Sequence, residues 1–188
     1  CAYAAAGSDA RMSGCEMPVI ILSGSGNQGI TASVPVAIVA QEMGASEEEL
    51  LKAVAVSDLV TIHQKTGIGR LSAYCGAISA GCGAGAGIAY LRGGRFHAVA
   101  HTVVNAIAIL SGTICDGAKP SCAAKIAAAV DAGILGYDMY LENQQFYGGD
   151  GIVTKGVDRT VTNIGRLARE GMRETDRTIL EIMLSDGC

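Results

Sequence analysis

Apolar and polar positions along this chain recur at helical spacing, and alternation with a period of two is absent over any useful length. An apolar run over residues 18–22 leads into a glycine-rich loop, residues 23–29, and then into a helical stretch over 30–43 closed by Gly44. Ser46 followed by Glu49 has the spacing of a capping box, which predicts a helix from there to about residue 65. Gly67 and Gly69 punctuate the chain. A stretch of small residues then runs from Arg70 to Leu91, without charge after Arg70, read as a buried helix broken near Gly81, and Gly93 with Gly94 closes it as a turn.

Near-continuous apolar residues over 96–110 suit a helix buried on most sides, and the alanine-rich segment 121–134 suits another. Residues 136–156 carry the Tyr, Asn, Gln and Gly of an irregular region, and 158–168 and 175–184 read as closing helices. The opening dozen residues are small and polar and do not resemble a secretory signal. The expected fold is all-α: a single compact domain over residues 1–188, with about six to eight helices around a Gly/Ala-rich buried central helix and one or two incidental short strands.

Composition sharpens that picture. With 26 glycines, no tryptophan and 4% aromatic residues in a chain that is 49% hydrophobic, the core must be built from small side chains, which lets backbones approach closely. A net charge of −4 without a basic run excludes nucleic acid and an anionic membrane surface as partners. Residues 71–91 are long enough to cross a bilayer, but their glycines and serines make insertion weakly favourable, so a buried soluble segment is expected. Seven cysteines, an odd number, fit a reducing cytoplasm better than a disulfide framework.

The thiols carry the candidate chemistry. Cys75 with Cys82, and Cys115 with Cys122, form two pairs seven residues apart, or two helical turns. Spacing alone leaves simple packing and ligation evenly balanced, because no CxxC run is present. Glycines beside Cys82, and Asp116 with Gly117 after Cys115, leave backbone N–H groups and room for an inorganic group. The loop over 23–29 has the composition to cradle a carboxylate ahead of a helix, but lacks the Lys-Ser/Thr of a Walker loop. His63, Lys65, His97 and His101 are acid-base candidates, with zinc disfavoured at the two histidines four apart. Lys119 can tune the thiols and Asn105 can donate hydrogen bonds from a buried helix.

Taken together, the SGSGNQGI segment at 23–30, IGRLS at 68–72, GCGAG at 81–85 and SGTICDGAK at 111–119 resemble the L-cysteine desulfidase family. TNIG at 162–165 and Gly171 with Met172 extend the likeness over nearly the whole chain. That family is similar to the helical catalytic α domain of bacterial iron-sulfur L-serine dehydratases. The resemblance implies a [4Fe-4S] cluster held by Cys82, Cys115 and Cys122, with Cys75 the nearest competitor, and one iron left open as a Lewis acid. It implies β-elimination from L-cysteine to pyruvate, sulfide and ammonia, with L-serine dehydration or a non-catalytic redox-sensing domain as alternatives. Ser23, Ser25, Asn27 and Gln28 would orient the substrate, and Lys65 and Asn105 are the catalytic candidates. These enzymes are about twice this length, so the chain is expected to be the C-terminal, cluster-binding part. Its partners would then be the amino acid and the N-terminal half of the same enzyme, which carries a catalytic cysteine or base. Homodimer formation is left open.

Overall fold

A computed structural model describes residues 1–185, and among these the fold is all-α. The helices are α1 (Ala2–Met12), α2 (Gly26–Met43), α3 (Glu47–Ile68), α4 (Gly76–Leu91), α5 (Phe96–Leu110), α6 (Cys122–Leu141), α7 (Val157–Arg166) and α8 (Arg173–Ser185). A single π turn, Leu167–Gly171, joins the last two. In place of the one or two short strands expected, the described residues hold two isolated β-bridges, Leu22 with Ser25 and Tyr74 with Ile114. None of the described helices is long and apolar enough to cross a membrane.

Local chemistry accounts for most boundaries. The Ser46 hydroxyl accepts from the Glu49 N–H, and the Glu49 carboxylate accepts from the Ser46 N–H at 2.8 Å, so the capping box is formed and starts α3. The helix continues to Ile68 and stops where Gly69 takes φ 101, a conformation side chains resist. The opening segment, rich in alanine, forms α1, and α1 packs on α2 and α6.

Two sequence expectations change for reasons of packing. α4 starts only at Gly76, because residues before it are extended and paired across the Tyr74–Ile114 bridge: the Cys75 N–H donates to the Thr113 carbonyl at 3.0 Å. It does not break at Gly81. A Cβ there would lie 2.3 Å from the Ala129 carbonyl oxygen, and one at Gly85 would lie 2.4 Å from that of Gly133. Those glycines mark where α6 presses against α4. By the same logic α6 passes through Gly133 and Gly136 to Leu141, where an irregular region was expected to begin at Gly136.

α4 is thus the central helix. Every residue from Ala77 to Ala89 is buried, because α2, α3, α5 and α6 pack around it. The interlock with α6 has a functional result: Cys75 at the N-cap of α4 and Cys122 at the first residue of α6 come to the same end of the molecule.

Candidate functional site

At that end lies a cavity of about 260 Å³. Its walls come from the first turns of α2, α4 and α6, the C-terminal turn of α3, and the loops before α4 and α6. Three thiols line it: Cys75, Cys115 and Cys122. The bridge between residues 74 and 114 sets the first two on one face of a short antiparallel pair, where the two thiols perturb each other. The Cys75 thiol is pushed well up, by its neighbour Cys115 and then by burial, while Cys115 is held below the usual thiol range by Cys75, with burial opposing. The Gly117 N–H and the Lys125 charge add to the lowering at Cys115.

Cys82 sits elsewhere. It is 1% exposed on α4, its thiol pushed up to about 12 by burial, and it does not line the cavity. Its electrostatic neighbour is Tyr74. Thus the seven-residue pairs seen in the sequence are not two pairs on two helix faces: only the second contributes both members to the cavity.

The loop carrying Cys115 is tied down by charge. Asp116 accepts from Lys125 at 2.6 Å and also pairs with Lys119, and Lys125 donates further to the Ile114 carbonyl at 3.0 Å. These bonds, first Lys119 and then Lys125, hold the Asp116 carboxyl down at about 2. A carboxyl depressed in the folded state stabilises the fold above its unfolded pKa and loses that contribution as pH falls through the folded value. The loop is therefore expected to stay ordered as pH drops through 4 and to loosen only towards about 2. Asp116→Asn should shift that loosening to neutral pH, read as faster amide hydrogen exchange over residues 113–119; unchanged exchange would count against the ion pairs as the anchor.

Cations and helix ends give the cavity an electropositive lining. Lys65, 6% exposed, lines it from α3, and burial lowers its pKa while the two thiols Cys115 and Cys75 oppose that. Among the described residues Lys65 makes no ion pair. Lys125 lines it from α6.

Of the loop residues, Ser25, Asn27 and Gln28 line the cavity and Ser23 does not. Ser23 (φ 48) and Gly24 (φ 90) form a tight two-residue turn between Leu22 and Ser25, whose N–H and C=O groups bond reciprocally at 3.1 and 3.2 Å. Ser25 is then the N-cap, and Gly26 to Gly29, expected as loop, are the first turn of α2. Gly29 allows the preceding segment to cross that turn, since a Cβ there would lie 1.9 Å from the Ile20 carbonyl oxygen.

Asn105 is fully buried away from the cavity, donating to the Gly136 carbonyl at 3.0 Å and accepting from the Phe146 N–H at 3.1 Å, so both ends of its amide hold backbone. His63 pairs with Asp158 at 3.1 Å. His97 and His101 line a second cavity of about 570 Å³ between α5 and α7, which holds no thiol, and His101 stacks on Tyr140.

Tyr74, Gly76 and Arg70 were not singled out by sequence. Tyr74 is 1% exposed, and its hydroxyl, like the Gln28 side-chain oxygen, is buried without a hydrogen-bond partner. Both residues line the cavity. Nothing in local sequence marks Tyr74 apart from its place beside Cys75.

Among the described residues no three His, Cys, Asp or Glu side chains converge on a single point as they would for one metal ion. A cubane cluster makes a different demand, since each thiolate binds its own iron and the sulfurs stay apart. Three thiols lining one cavity, with the buried Lys65, the half-buried Lys125 and N-terminal helix turns to offset thiolate charge, fit such a group.

The serine dehydratase alpha chain family model matches residues 1–181. A UPF0597 protein of Desulfitobacterium hafniense is 68% identical over 184 residues, covering 98% of this chain and 43% of its own length. Relatives bearing the same UPF0597 name from Lachnoclostridium phytofermentans and Treponema denticola are 54% and 52% identical, over 98% and 97% of this chain and 44% and 42% of theirs. The chain therefore spans less than half the length of these relatives. No solved structure matches it.

Proposed function

The chain belongs to the serine dehydratase alpha chain family, and from that premise we propose that it forms the cluster-holding part of a lyase that removes a β-substituent from a small amino acid. The observation that carries this reading is the convergence of Cys75, Cys115 and Cys122 with Lys65 and the first turn of α2 in one cavity. The proposed ligands are Cys75, Cys115 and Cys122, with Cys75 in place of Cys82, because Cys82 does not reach the cavity. When bound, a [4Fe-4S] cluster with three thiolate ligands supplies a Lewis-acidic iron for the leaving group.

The chain's own residues do the rest. The Asn27 amide, with free N–H groups of the first turn of α2, orients the substrate carboxylate, and the Gln28 amide, whose oxygen is unpartnered, receives the second polar group of the amino acid. Lys65 is the proton-handling group within this chain: burial lowers its pKa, so its ammonium gives up a proton at Nζ more readily than that of an exposed lysine. Asn105 has a structural part instead, tying α5 to α6 and to the loop after it. The remaining length of the relatives is where we place a further catalytic group and the cover that keeps water out.

L-Cysteine is the proposed substrate, giving pyruvate, sulfide and ammonia, since a thiolate leaving group suits iron. L-Serine, losing water, is the second reading, favoured by the description of the family model.

The test is anaerobic reconstitution of the complete polypeptide with iron and sulfide, followed by sulfide and pyruvate assays with each amino acid. Sulfide release from L-cysteine at a higher kcat/KM than pyruvate release from L-serine is the expected result. The reverse order would make it a serine dehydratase. Iron uptake without turnover of either would replace the lyase with a redox-sensing domain.

A further inference from the structure

We propose that Arg11 is a positioning residue for carboxylate recognition, fixing the Asn27 amide so that its N–H end faces the thiol cavity. The inference rests on the amino-acid site described above, and it adds a residue from α1 that does not itself line the cavity.

Arg11, in the last turn of α1, donates from Nη1 to the Asn27 side-chain oxygen at 3.0 Å. A guanidinium has no acceptor, so only the carbonyl end of the amide can face it. The Asn27 NH₂ group is thereby turned away from Arg11, on a side chain that is 7% exposed and lines the cavity. Within the described residues this NH₂ group has no hydrogen-bond partner of its own. Without Arg11 the amide could turn over and present its oxygen, which repels a carboxylate.

The neighbouring side chain points to the same ligand. The Gln28 amide is 6% exposed, lines the cavity and lies against Gly76, where a Cβ would meet its nitrogen at 2.5 Å. Its oxygen is buried without a partner. An amide left unsatisfied at such burial is destabilising unless a ligand completes it. Two adjacent amides, one already oriented as a donor, suit a ligand carrying a carboxylate and a second polar group, as an α-amino acid does.

Electrostatics makes the same demand. The Arg11 guanidinium lies against the first turn of α2, and a Cβ on Gly26 would be 2.8 Å from its Nε. That end of the helix is itself positive, no acidic residue stands in its first turn, and Arg11 makes no ion pair among the described residues. A carboxylate at the same turn balances both charges.

The experiment compares the free amino acid with its methyl ester on the reconstituted complete polypeptide. Arg11→Met should raise KM for the acid about tenfold or more, with the smaller share of the loss in kcat, and leave the ester's KM unmoved. Arg11→Lys, which also can only donate, should recover part of the loss. Equal losses for acid and ester, or an unchanged KM for the acid, would overturn the proposal.

Should Arg11→Met fail to fold, Asn27→Asp keeps the contact to Arg11 and turns a carboxylate oxygen to the cavity, so it should weaken the acid and spare the ester; equal effects overturn the idea. Calorimetry with unreactive L-alanine separates this inference from the lyase reading. Binding that Arg11→Met weakens, in a protein that turns over neither amino acid, sinks the lyase alone. Binding that is absent, or indifferent to Arg11, sinks the positioning role.

Discussion

Gly133→Val is expected to leave little soluble, cooperatively folding protein. A Cβ at this position would stand 2.2 Å from the Gly81 carbonyl oxygen and 3.2 Å from the Gly85 nitrogen, so the clash is with the backbone of α4, not with the end of a movable side chain. α4 cannot retreat, because α2, α3 and α5 close its other sides. Overpacking a core costs about 1–3 kcal/mol where side chains can shift, and a backbone-to-backbone obstruction lies at or beyond the top of that range. Against a typical total stability of roughly 5–15 kcal/mol, such a loss unfolds a large fraction of a marginal protein. Leu135→Ala, on the same helix at a position 46% exposed, is the control and should fold normally. Soluble yield and thermal unfolding followed by circular dichroism decide it, and a Gly133→Val protein that melts like the parent would refute the α4–α6 interlock. Partial separation of the two helices would also move Cys75 away from Cys122, so any folded remnant should bind iron poorly.

Cys75→Ala and Cys82→Ala should part company. Under the proposed function, removing Cys75 takes one of three thiolates from the cavity, and the reconstituted protein should lose its thiolate-to-iron absorption and its lyase activity. Cys82 lies 1% exposed in the core beside Tyr74, so its replacement deletes one buried sulfur and costs about 1–2 kcal/mol of stability while iron uptake persists. Iron and acid-labile sulfide per chain, measured with the thermal midpoint, separates the two effects. Iron lost with Cys82 and retained with Cys75 would reverse the assignment. Iron retained in both would leave the cavity without a three-thiol role.

The contrast between these cysteines shows where local pattern stops being informative. Both lie beside glycines in a stretch of small residues, and a helix running through the whole stretch would place them on one face. The glycines at 81 and 83 suggested space for an inorganic group beside Cys82. In the fold that space is filled: a Cβ at Gly81 would meet the Ala129 carbonyl, and one at Gly83 would meet the Thr61 hydroxyl at 2.2 Å. A glycine next to a thiol reads the same in sequence whether a cluster or a neighbouring helix takes the room. Cys75 reaches the cavity because the chain before α4 is held extended against residues 113–115, a long-range pairing without a local signal.

What the chain's own pattern determined was the class of fold and most of its elements. Helical periodicity, the Ser46–Glu49 capping box and the small-residue composition are local or compositional properties, and each acts through hydrogen bonds or volumes that any window of sequence displays. Asn27, Gln28, Cys115, Cys122 and Lys65 were also legible as polar or thiol groups in glycine-rich settings, and tertiary structure brings all five to one cavity. Only that structure decided which glycines pack and which turn, that Asn105 braces two helices, and that Arg11 from α1 reaches the first turn of α2. Those outcomes depend on pairs of residues far apart in the chain, from 16 positions for Arg11 with Asn27 to 48 for Gly81 with Ala129, and the geometry joining them exists only once the helices that carry them have packed together.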